Sequence, residues 1–411
     1  MTKILGDLGF NKRRNYYLHI DLNSCFAMVE QQANPLLRNH PVGVAAYNSP
    51  RGVIVASSVE AKKLGIKTGT RVYEAKKICP KIIIVEPDAN KYRFVHHKLK
   101  DLLSEYTNVI YAKSVDEFVL NLKGSPFYKR GLLAIGSEIK ERIKEEIGDY
   151  LTVSIGISKN QFLAKTASNL KKPDGLDEIH ENNFLDVYAN LTLMDLCGIN
   201  TKTLARLNKH DIHTVLEFYK TPPYKLRSVF SSILGNYWYL KLRGYEIENY
   251  EPKRRTFGHQ YALPKPVVEL EELTPILTKL VEKLGFRLRN KGYRAQGVHL
   301  ALRYKDNTTW HMSRKTKKIM YDSKDIYGEL LKLVFAAPKK PITVVSTTCF
   351  NLKRATTMQL ELFCDTEKKE NLTKMLDKIN NRWGRFVISP ATMLNSQKYI
   401  PDRIGFGNVD P

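Results

Sequence analysis

The chain has 411 residues, of which 43% are hydrophobic, and its 66 lysines and arginines outnumber its 42 aspartates and glutamates to give a formal net charge of +24. The length predicts roughly two to four domains, and the positive charge indicates a polyanionic partner, with nucleic acid as the first candidate. A membrane surface is the rival candidate. We expect no membrane association, because no apolar run approaches the ~18 residues of a membrane span and Met1-Thr2-Lys3 opens no signal peptide.

The cysteines are odd in number, far apart in the sequence and never arranged as CxxC, which argues against a disulfide framework or a zinc site. They are Cys25, Cys79, Cys197, Cys349 and Cys364. The sequence therefore predicts a protein of the reducing cytoplasm.

The N-terminal part of the chain begins with residues 1–15, whose run of basic residues predicts a mobile, solvated arm. The apolar run that follows is typical of a strand, which Asp21 ends. A helix is predicted over residues 23–33, with Asn23 or Ser24 as its cap.

Residues 34–86 alternate short apolar runs with glycine and proline, which predicts a small α+β insertion. Beyond the insertion, apolar periodicity predicts helices over residues 92–106 and 129–147 and a strand over residues 151–157.

Two adjacent carboxylates, Asp116 and Glu117, lie between apolar runs in the segment that separates the two predicted helices. Because successive side chains of a strand point to opposite faces, the pair can share a ligand only where the strand bends. The predicted order is strand, helix, hairpin, helix, strand, which is the split βαβ arrangement. This arrangement places Asp21 beside the acidic hairpin.

Each acidic segment alone has an ordinary explanation, Asp21 as a helix cap and the adjacent pair as a polar hairpin turn. Together, three carboxylates at strand ends repel one another unless cations neutralise them. Oxygen ligands suit Mg²⁺, which shares its coordination with substrate phosphates. Two such ions about 3.5–4 Å apart would stabilise the attacking and leaving oxygens of an in-line phosphoryl displacement.

A helix is predicted after Ser158 and is expected to continue towards Gly175, with Lys165 and Lys172 about two turns apart on one face. Lysines on such a helix are usually solvated. Because this helix leaves the sheet that carries the acids, we expect at least one of them to reach a triphosphate. Lys159 and Lys165 are also predicted to contact DNA.

Residues 184–245 are predicted to be all-helical. Their segment from Leu196 to Leu207 resembles a helix-hairpin-helix, whose turn at Gly198 and Asn200 offers backbone N–H groups to a DNA phosphate. Asn200 takes the place of a second glycine, because asparagine tolerates the left-handed conformation.

Residues 246–255 carry a basic run without apolar periodicity and are predicted to be a linker, in which Arg254 and Arg255 contact DNA. A second α+β unit follows over residues 256–350. Its predicted elements are a helix over 270–290, strands over 298–304 and 309–312, a basic cluster at 314–318, a helix over 325–335 and a strand over 342–350. Residues 351–411 form a tail with a polar helix over 372–383.

Four motifs occur in an order that resembles the Y-family DNA polymerases of the DinB/UmuC type, over roughly residues 16–350. They are His19-Ile20-Asp21-Leu22-Asn23-Ser24-Cys25-Phe26, Ser114-Val115-Asp116-Glu117, Gly156-Ile157-Ser158-Lys159-Asn160 and Lys171-Lys172-Pro173-Asp174-Gly175. The resemblance implies an α+β, multidomain right-hand polymerase. Its parts would be a ferredoxin-like (split βαβ) palm at 16–33 and 87–180, small fingers at 34–86, an all-α thumb with the helix-hairpin-helix at 181–245, the linker at 246–255, an α+β little finger at 256–350 and the tail at 351–411.

The resemblance also implies the site. Asp21, Asp116 and Glu117 would be catalytic and would bind two Mg²⁺ ions, with the Leu22 carbonyl as a further ligand. The residues that would contact the nucleotide are Cys25, Phe26, Val59, Lys62 and Lys172.

Phe26 matches the family's steric gate, an aromatic ring packed where a ribose 2′-hydroxyl would lie; the alternative is an ordinary core aromatic on a helix. Lys62 stands where the family usually has arginine, and Val59 replaces a tyrosine common in the DinB branch. Both departures remove hydrogen bonds to the triphosphate and favour the UmuC branch.

The tail segment Gln359-Leu360-Glu361-Leu362-Phe363 resembles the pentapeptide that docks bacterial polymerases on the sliding clamp. The residues that would bind the clamp are Gln359, Leu360, Leu362 and Phe363. An ordinary strand of alternating apolar residues explains the segment as well.

We therefore expect a monomeric enzyme that synthesises DNA across damaged templates with low fidelity, with primer-template DNA, dNTPs and a bacterial sliding clamp as partners. One alternative is a non-catalytic relative that binds DNA and the clamp but has lost the chemistry. Retention of all three acids disfavours it. A second alternative is a nucleotide cyclase with the same palm topology, which the helix-hairpin-helix and the net charge disfavour.

Overall fold

The computed structural model describes residues 8–50, 52–247, 255–354, 366–394, 396 and 399–400. These residues form two compact units, one up to Ile247 and one from Arg255 to Ile400, and each is described by itself. Three sheets and fourteen α-helices are present in the described residues, which confirms the predicted α+β class. Within those same ranges no helix has both the length and the apolar character needed to cross a membrane.

The elements of the first unit follow one another along the chain without large insertions. They are β1 (Tyr17–Leu22), α1 (Cys25–Ala33), β2 (Val42–Ala45), β3 (Ile54–Ser57), α2 (Val59–Lys63), α3 (Val72–Ile78), β4 (Ile83–Val85), α4 (Ala89–Ser104), β5 (Ile110–Ala112), β6 (Glu117–Asn121), α5 (Leu132–Glu146), β7 (Val153–Ser158), α6 (Gln161–Ser168), β8 (Leu176–Glu178), α7 (Phe184–Asn190), α8 (Thr201–Asn208), α9 (Val215–Lys220), α10 (Pro223–Phe230) and α11 (Leu234–Leu242).

The largest sheet of this unit has the strand order β5-β6-β1-β7-β8. Strand β1 lies in the middle and pairs antiparallel with both β6 and β7, while β8 adds parallel to the outer side of β7. The first four of these strands, with α4 and α5 as crossovers, form the ferredoxin-like arrangement predicted for the palm.

The two faces of the palm sheet are covered by different helices because side chains alternate along each strand. Leu18 and Ile20 of β1 point to one face and pack in a core with Leu99 of α4 and Ile139 of α5. The opposite face packs against α6, where Tyr17 and Val119 contact Ala164. His19 and Asp21 alternate with Leu18 and Ile20, so they belong to the α6 face.

Helix α6 approaches the sheet closely at one glycine, Gly156 of β7. A Cβ at this position would lie 2.0 Å from the carbonyl oxygen of Ala164 and 2.1 Å from the backbone nitrogen of Ser168. Only glycine allows this approach. The helix ends at Ser168, so Lys172 lies beyond it, and the prediction that Lys165 and Lys172 share a helix face is wrong.

Residues 34–86 form a small three-stranded sheet of order β3-β2-β4 with α2 and α3. Its core includes Ile54, Ile66 and Val72. Helix α2 begins after Ser58, whose hydroxyl oxygen accepts a hydrogen bond from the Ala61 N–H at 3.3 Å. The short third strand, β4, lies in a segment for which no strand was predicted.

Helices α7 to α11 form the all-helical region predicted at 184–245, and residues 8–11 pack against it. Phe10 stacks on Phe184 with ring centroids 4.1 Å apart, and the Asn11 amide donates to the Gly244 carbonyl at 2.9 Å. The Arg243 guanidinium donates to the Leu8 carbonyl at 2.6 Å. For the described residues, the prediction of a mobile basic arm is therefore wrong, because aromatic and amide side chains anchor the segment.

The second unit is built around one sheet of strand order β11-β10-β12-β9, in which all neighbours are antiparallel. Its elements are β9 (Thr256–Val267), α12 (Leu270–Asn290), β10 (Tyr293–Tyr304), β11 (Thr309–Met320), α13 (Ser323–Phe335), β12 (Ile342–Arg354) and α14 (Thr366–Trp383). Strand β9 is not among the predicted elements. The basic cluster at 314–318 is predicted to follow a strand, whereas it lies within β11.

Two ion pairs hold helix α14 against the rest of the second unit. Asp377 accepts two hydrogen bonds from Arg289 at 2.6 and 2.8 Å, and Glu370 pairs with the nearly buried guanidinium of Arg294. Both arginines come from the 256–350 segment. The helix predicted as part of a separate tail therefore belongs to this compact unit, and it begins six residues earlier than predicted.

The Gly156→Ala variant tests the close approach of α6. We expect the free energy of unfolding of the first unit to fall by about 3 kcal/mol or more. The added methyl group would overlap backbone atoms of α6, which can move only together with the rest of the helix. Gly328→Ala is the control, since this glycine lies inside α13 with no atom within 4 Å of an added Cβ, and alanine there should stabilise by ~0.5–1 kcal/mol. Urea unfolding measures both. Equal stability of Gly156→Ala and the wild type would contradict the packing described.

Candidate active site

The acidic residues meet where β1 and β6 pair. Asp21 and Glu117 are direct partners in the antiparallel register, and side chains of directly opposed residues project from the same face. Asp116 precedes β6, and its carbonyl accepts a hydrogen bond from the Leu22 N–H at 2.9 Å. The structure thus brings together Asp21 and the acidic hairpin, as the split βαβ prediction required.

The surroundings of Asp116 disfavour the charged form of its carboxyl group. Burial raises the pKa of its carboxyl group, and the charges of Asp21 and Glu117 raise it further. The Ser114 hydroxyl donates to Asp116 Oδ1 at 2.5 Å and opposes the rise. A cation beside this carboxylate would favour its charged form.

Glu117 is stabilised as a carboxylate by basic neighbours. Burial would raise its pKa, but His19 and Lys165 outweigh burial and lower the pKa from 4.5 to about 2. The Lys165 ammonium donates to both carboxylate oxygens at 2.8 and 2.6 Å. Lys165, predicted to contact DNA, therefore lies inside the acidic site, because α6 packs on the face to which Glu117 points.

Two further lysines border the acids. The Lys172 ammonium donates to Asp21 Oδ2 at 2.8 Å. Burial lowers the pKa of Lys62, and the nearby charge of Lys172 lowers it further, while Asp21 and Asp116 oppose the shift. Lys62 from α2 and Lys172 from the loop after α6 therefore share one pocket with the acids.

The donor set fits a hard divalent cation, because it consists of carboxylate oxygens with a backbone carbonyl beside them. In the part of the chain that the structure describes, no three His, Cys, Asp or Glu side chains are grouped closely enough to hold a metal as they stand. The three acids were expected to converge on one ligand. Instead, Asp21 and Glu117 face each other and each is engaged by a lysine, which relieves their mutual repulsion.

Asn23 connects the end of β1 to the loop that carries Lys172. Its side-chain nitrogen Nδ2 donates to Ser154 Oγ at 2.9 Å, and its side-chain oxygen Oδ1 accepts from the Asp174 N–H at 2.8 Å. Ser24 is the residue before α1 but makes no capping hydrogen bond with its side chain. The prediction that Asn23 or Ser24 caps the helix with its side chain is wrong, because the Asn23 amide is used between strands.

Apart from Lys172, the predicted nucleotide contacts lie on α1 and α2. Phe26 is 3% exposed and stacks on Tyr92 with ring centroids 4.2 Å apart. Burial and the charges of Asp116 and Asp21 raise the pKa of the Cys25 thiol. Val59 is the first residue of α2 and packs against the palm core.

Lys159 has a structural role in this fold. Its side chain is nearly buried, and its ammonium donates to Glu181 Oε2 at 2.9 Å and to the Asn11 carbonyl. It also lies 5.4 Å from the centre of the Phe10 ring. These contacts hold residues 10–11 against the palm, so the prediction that Lys159 contacts DNA is not supported by its burial.

The helix-hairpin-helix turn differs in detail from the prediction. Gly198 has φ +97°, a left-handed conformation that favours glycine. Asn200 is extended at φ −113° and caps α8, where its side chain accepts from the Thr203 N–H at 2.8 Å. The expectation of a left-handed Asn200 is therefore wrong, because its side chain serves better as an N-cap.

Of the remaining predicted contact residues, the structure describes only Arg255. Arg255 is exposed next to β9. Five predicted residues lie outside the described residues, namely Arg254, Gln359, Leu360, Leu362 and Phe363.

Comparison with protein families identifies matches in both units. The model of the impB/mucB/samB family matches residues 20–169, and the model of that family's C-terminal domain matches residues 254–362. DNA polymerase IV 1 of Bacillus subtilis strain 168 is 30% identical over 390 residues, which are 92% of this chain and 93% of that protein. DNA polymerase IV of Moorella thermoacetica is 30% identical over 382 residues, which are 91% of this chain and 95% of that protein.

Solved structures support the same architecture. A chimera of the Y-family DNA polymerases Dbh and Dpo4 matches with a TM-score of 0.70 and 22% identity, covering 82% of this chain and 98% of that chain. An insertion ternary complex of Dbh DNA polymerase matches with a TM-score of 0.57 at 22% identity, over 82% of this chain and 98% of that chain. The fold is therefore that of a right-hand Y-family polymerase, as predicted.

Fold and site together define a DNA-directed DNA polymerase. The chain belongs to the impB/mucB/samB family, the Y-family DNA polymerases of DinB type, and its function is translesion DNA synthesis. The expectation that Val59 and Lys62 favour the UmuC branch is therefore wrong. The alternative of a non-catalytic relative is not favoured.

The Lys165→Met variant tests the pairing with Glu117. The low folded-state pKa of Glu117 contributes stability above pH 4.5, which is lost as the pH falls from 4.5 towards about 2. We expect the variant to lose about 2 kcal/mol of unfolding free energy at pH 7 and a smaller amount at pH 4. Urea unfolding at the two pH values measures the difference.

Lys171→Met is the matched control, because Lys171 is 78% exposed in its pair with Asp177 and such pairs contribute at most about 1 kcal/mol. A deficit of the Lys165→Met variant that is the same at pH 4 and pH 7 would show that the lysine stabilises the fold by packing and not by its charge.

Proposed function

We propose that Asp21, Asp116 and Glu117 are the catalytic acids of this polymerase. The observation that carries the proposal is the register of β1 and β6, which sets Asp21 opposite Glu117 with Asp116 as the preceding residue. Backbone pairing holds these like charges together, so the fold itself supplies the free energy that opposes their repulsion. Cations that bind there then relieve a repulsion that the fold has imposed.

The acids and the Leu22 carbonyl would hold two Mg²⁺ ions, for which their oxygen donors are suited. When bound, the ions stabilise the attacking primer 3′-hydroxyl oxygen and the leaving pyrophosphate oxygen of an in-line displacement at the α-phosphate. Asp116 would be one of the residues that hold the ions, since the charges of Asp21 and Glu117 both act on its carboxyl group. Lys165 would keep Glu117 ionised at every pH at which the enzyme works.

The dNTP would enter the pocket that Lys62 and Lys172 border. The Lys172 ammonium donates to Asp21, and the charges of Asp21 and Asp116 both act on the Lys62 ammonium. A triphosphate carried by the metal ions would therefore lie within reach of both lysines. Lysine acts here as a point charge and does not form the bidentate contacts of arginine. Cys25, Phe26 and Val59 would line the side of the pocket that faces the sugar and base.

Primer-template DNA would be held by its backbone phosphates. The net charge of +24, the turn at Gly198 and the basic strand β11 are suited to contacts that do not read base identity. Arg254 and Arg255 would add to them. A fingers module as small as residues 34–86 would check the shape of the base pair only loosely during synthesis.

The segment 359–363 would dock on a bacterial sliding clamp, with Leu362 and Phe363 as apolar anchors and Gln359 for orientation. This part of the proposal rests on the sequence alone, because the segment lies outside the described residues. We further propose that the enzyme is a monomer that works in the cytoplasm.

The Asp116→Ala variant tests the catalytic assignment. We expect primer extension with Mg²⁺ to fall by at least about 1,000-fold, because stabilisation of the transition-state charge by metal ions contributes several kcal/mol. Affinity for primer-template DNA, measured by fluorescence anisotropy, should stay within about twofold, since phosphate contacts lie elsewhere. Asp101→Asn, at an exposed position on α4, is the control. Extension at wild-type rate by Asp116→Ala would remove Asp116 from the site.

The Phe26→Ala variant tests the steric gate. Removing the ring should raise the incorporation of ribonucleotides relative to deoxynucleotides by about tenfold or more, because discrimination by a clash disappears with the clashing group. The ratio is measured on one enzyme sample, so it does not depend on the fraction that is folded. If Phe26 only packs on Tyr92, thermal stability will fall while the sugar ratio stays at the wild-type value.

A further inference from the structure

Glu117 has a second basic neighbour, His19, that none of the preceding assignments uses. His19 lies on β1 two residues before Asp21, so both side chains project from the same face of the palm sheet. Its side chain is 1% exposed, and its Nε2 atom lies 3.6 Å from Glu117 Oε2. The imidazole is therefore buried directly behind the acidic site.

The Nε2 atom of His19 makes no hydrogen bond within the described residues although it is buried. Buried polar atoms are nearly always hydrogen-bonded, because an unpaired one has lost its bonds to water without replacement. A distance of 3.6 Å is just beyond hydrogen-bond length.

The other side of the ring is held by α6. Nδ1 of His19 lies 3.4 Å from the hydroxyl oxygen of Ser168, which also lies 2.8 Å from the Lys165 carbonyl. In the tautomer that carries its proton on Nε2, Nδ1 accepts from the Ser168 hydroxyl. Ser168 and Lys165 are thus placed by the same helix. This contact orients the ring so that Nε2 faces Glu117.

We propose that His19 is a positioning residue that holds the Glu117 carboxylate in place for its role in the site. The Nε2–H group of His19 donates to one carboxylate oxygen from behind, while the Lys165 ammonium donates to both oxygens. Glutamate has one more rotatable bond than aspartate, so Glu117 needs such support more than Asp21 or Asp116 does. The inference rests on the proposed function, in which Glu117 is a metal-binding acid.

The test compares His19→Gln with His19→Asn. The amide nitrogen of glutamine can occupy the place of Nε2 and reach Glu117, whereas that of asparagine corresponds to Nδ1 and reaches only Ser168. The readout besides activity is Mn²⁺ binding by the full chain on primer-template DNA with a dideoxy-terminated primer, measured by electron paramagnetic resonance.

Loss of a group that orients a metal ligand typically weakens metal binding 10–100-fold. We expect His19→Asn to weaken Mn²⁺ binding and to lower kcat by about tenfold or more, and His19→Gln to restore both to within about threefold of the wild type. Restoration by glutamine alone distinguishes positioning of Glu117 from simple filling of the core. Thermal unfolding of both variants shows whether either has failed to fold.

The Glu117→Ala variant separates this inference from the proposed function. If Glu117→Ala leaves Mn²⁺ binding and extension intact, the assignment of the acid fails and His19 has nothing to position. If Glu117→Ala abolishes tight binding while folded His19→Asn and His19→Gln bind Mn²⁺ equally, the acid assignment stands and the role of His19 is overturned. A tenfold difference between the two His19 variants supports it.

Discussion

The site depends on one constraint, the antiparallel pairing of β1 with β6 in the middle of the palm sheet. This register sets Asp21 opposite Glu117, and the hydrogen bond from the Leu22 N–H to the Asp116 carbonyl fixes the start of β6. A shift by one residue would turn these side chains to the opposite face. The apolar residues Leu18 and Ile20 prevent such a shift, because it would expose them and bury the acids in the core with α4 and α5.

The remaining features of the site compensate for the charge that this register concentrates. Lys165 comes from α6, Lys172 from the loop after it, and Lys62 from α2 in the fingers sheet. The three lysines thus come from three separate segments and converge on acids from two strands. Under the proposed function, a magnesium-nucleotide complex would bind by exchange of partners: the triphosphate would replace the acids as the partner of the lysines, and the cations would replace the lysines as the partners of the acids.

Other residues hold these side chains in position without a proposed role in the reaction. Gly156 lets α6 approach the sheet so that Lys165 reaches Glu117. Asn23 ties the end of β1 to Ser154 and to the loop of Lys172. The buried Lys159 holds residues 10–11 in place, which gives this motif residue a structural role. In this chain, residues of the motifs thus divide between the acids that we propose to be catalytic and the residues that hold the site together.

The sequence by itself determined the α+β class, the βαβ order and the meeting of Asp21 with the acidic hairpin, because apolar periodicity fixes each element and the topology then fixes the sheet. It did not determine the long strand β9, the docking of α14 through Asp377, or the burial of Lys159, because each depends on partners distant in sequence. It also misplaced Asn200 and Asn23, since an amide suits several local roles. Only the tertiary structure decided which lysines face the acids, because that choice follows from how α6, its following loop and α2 pack around one sheet edge.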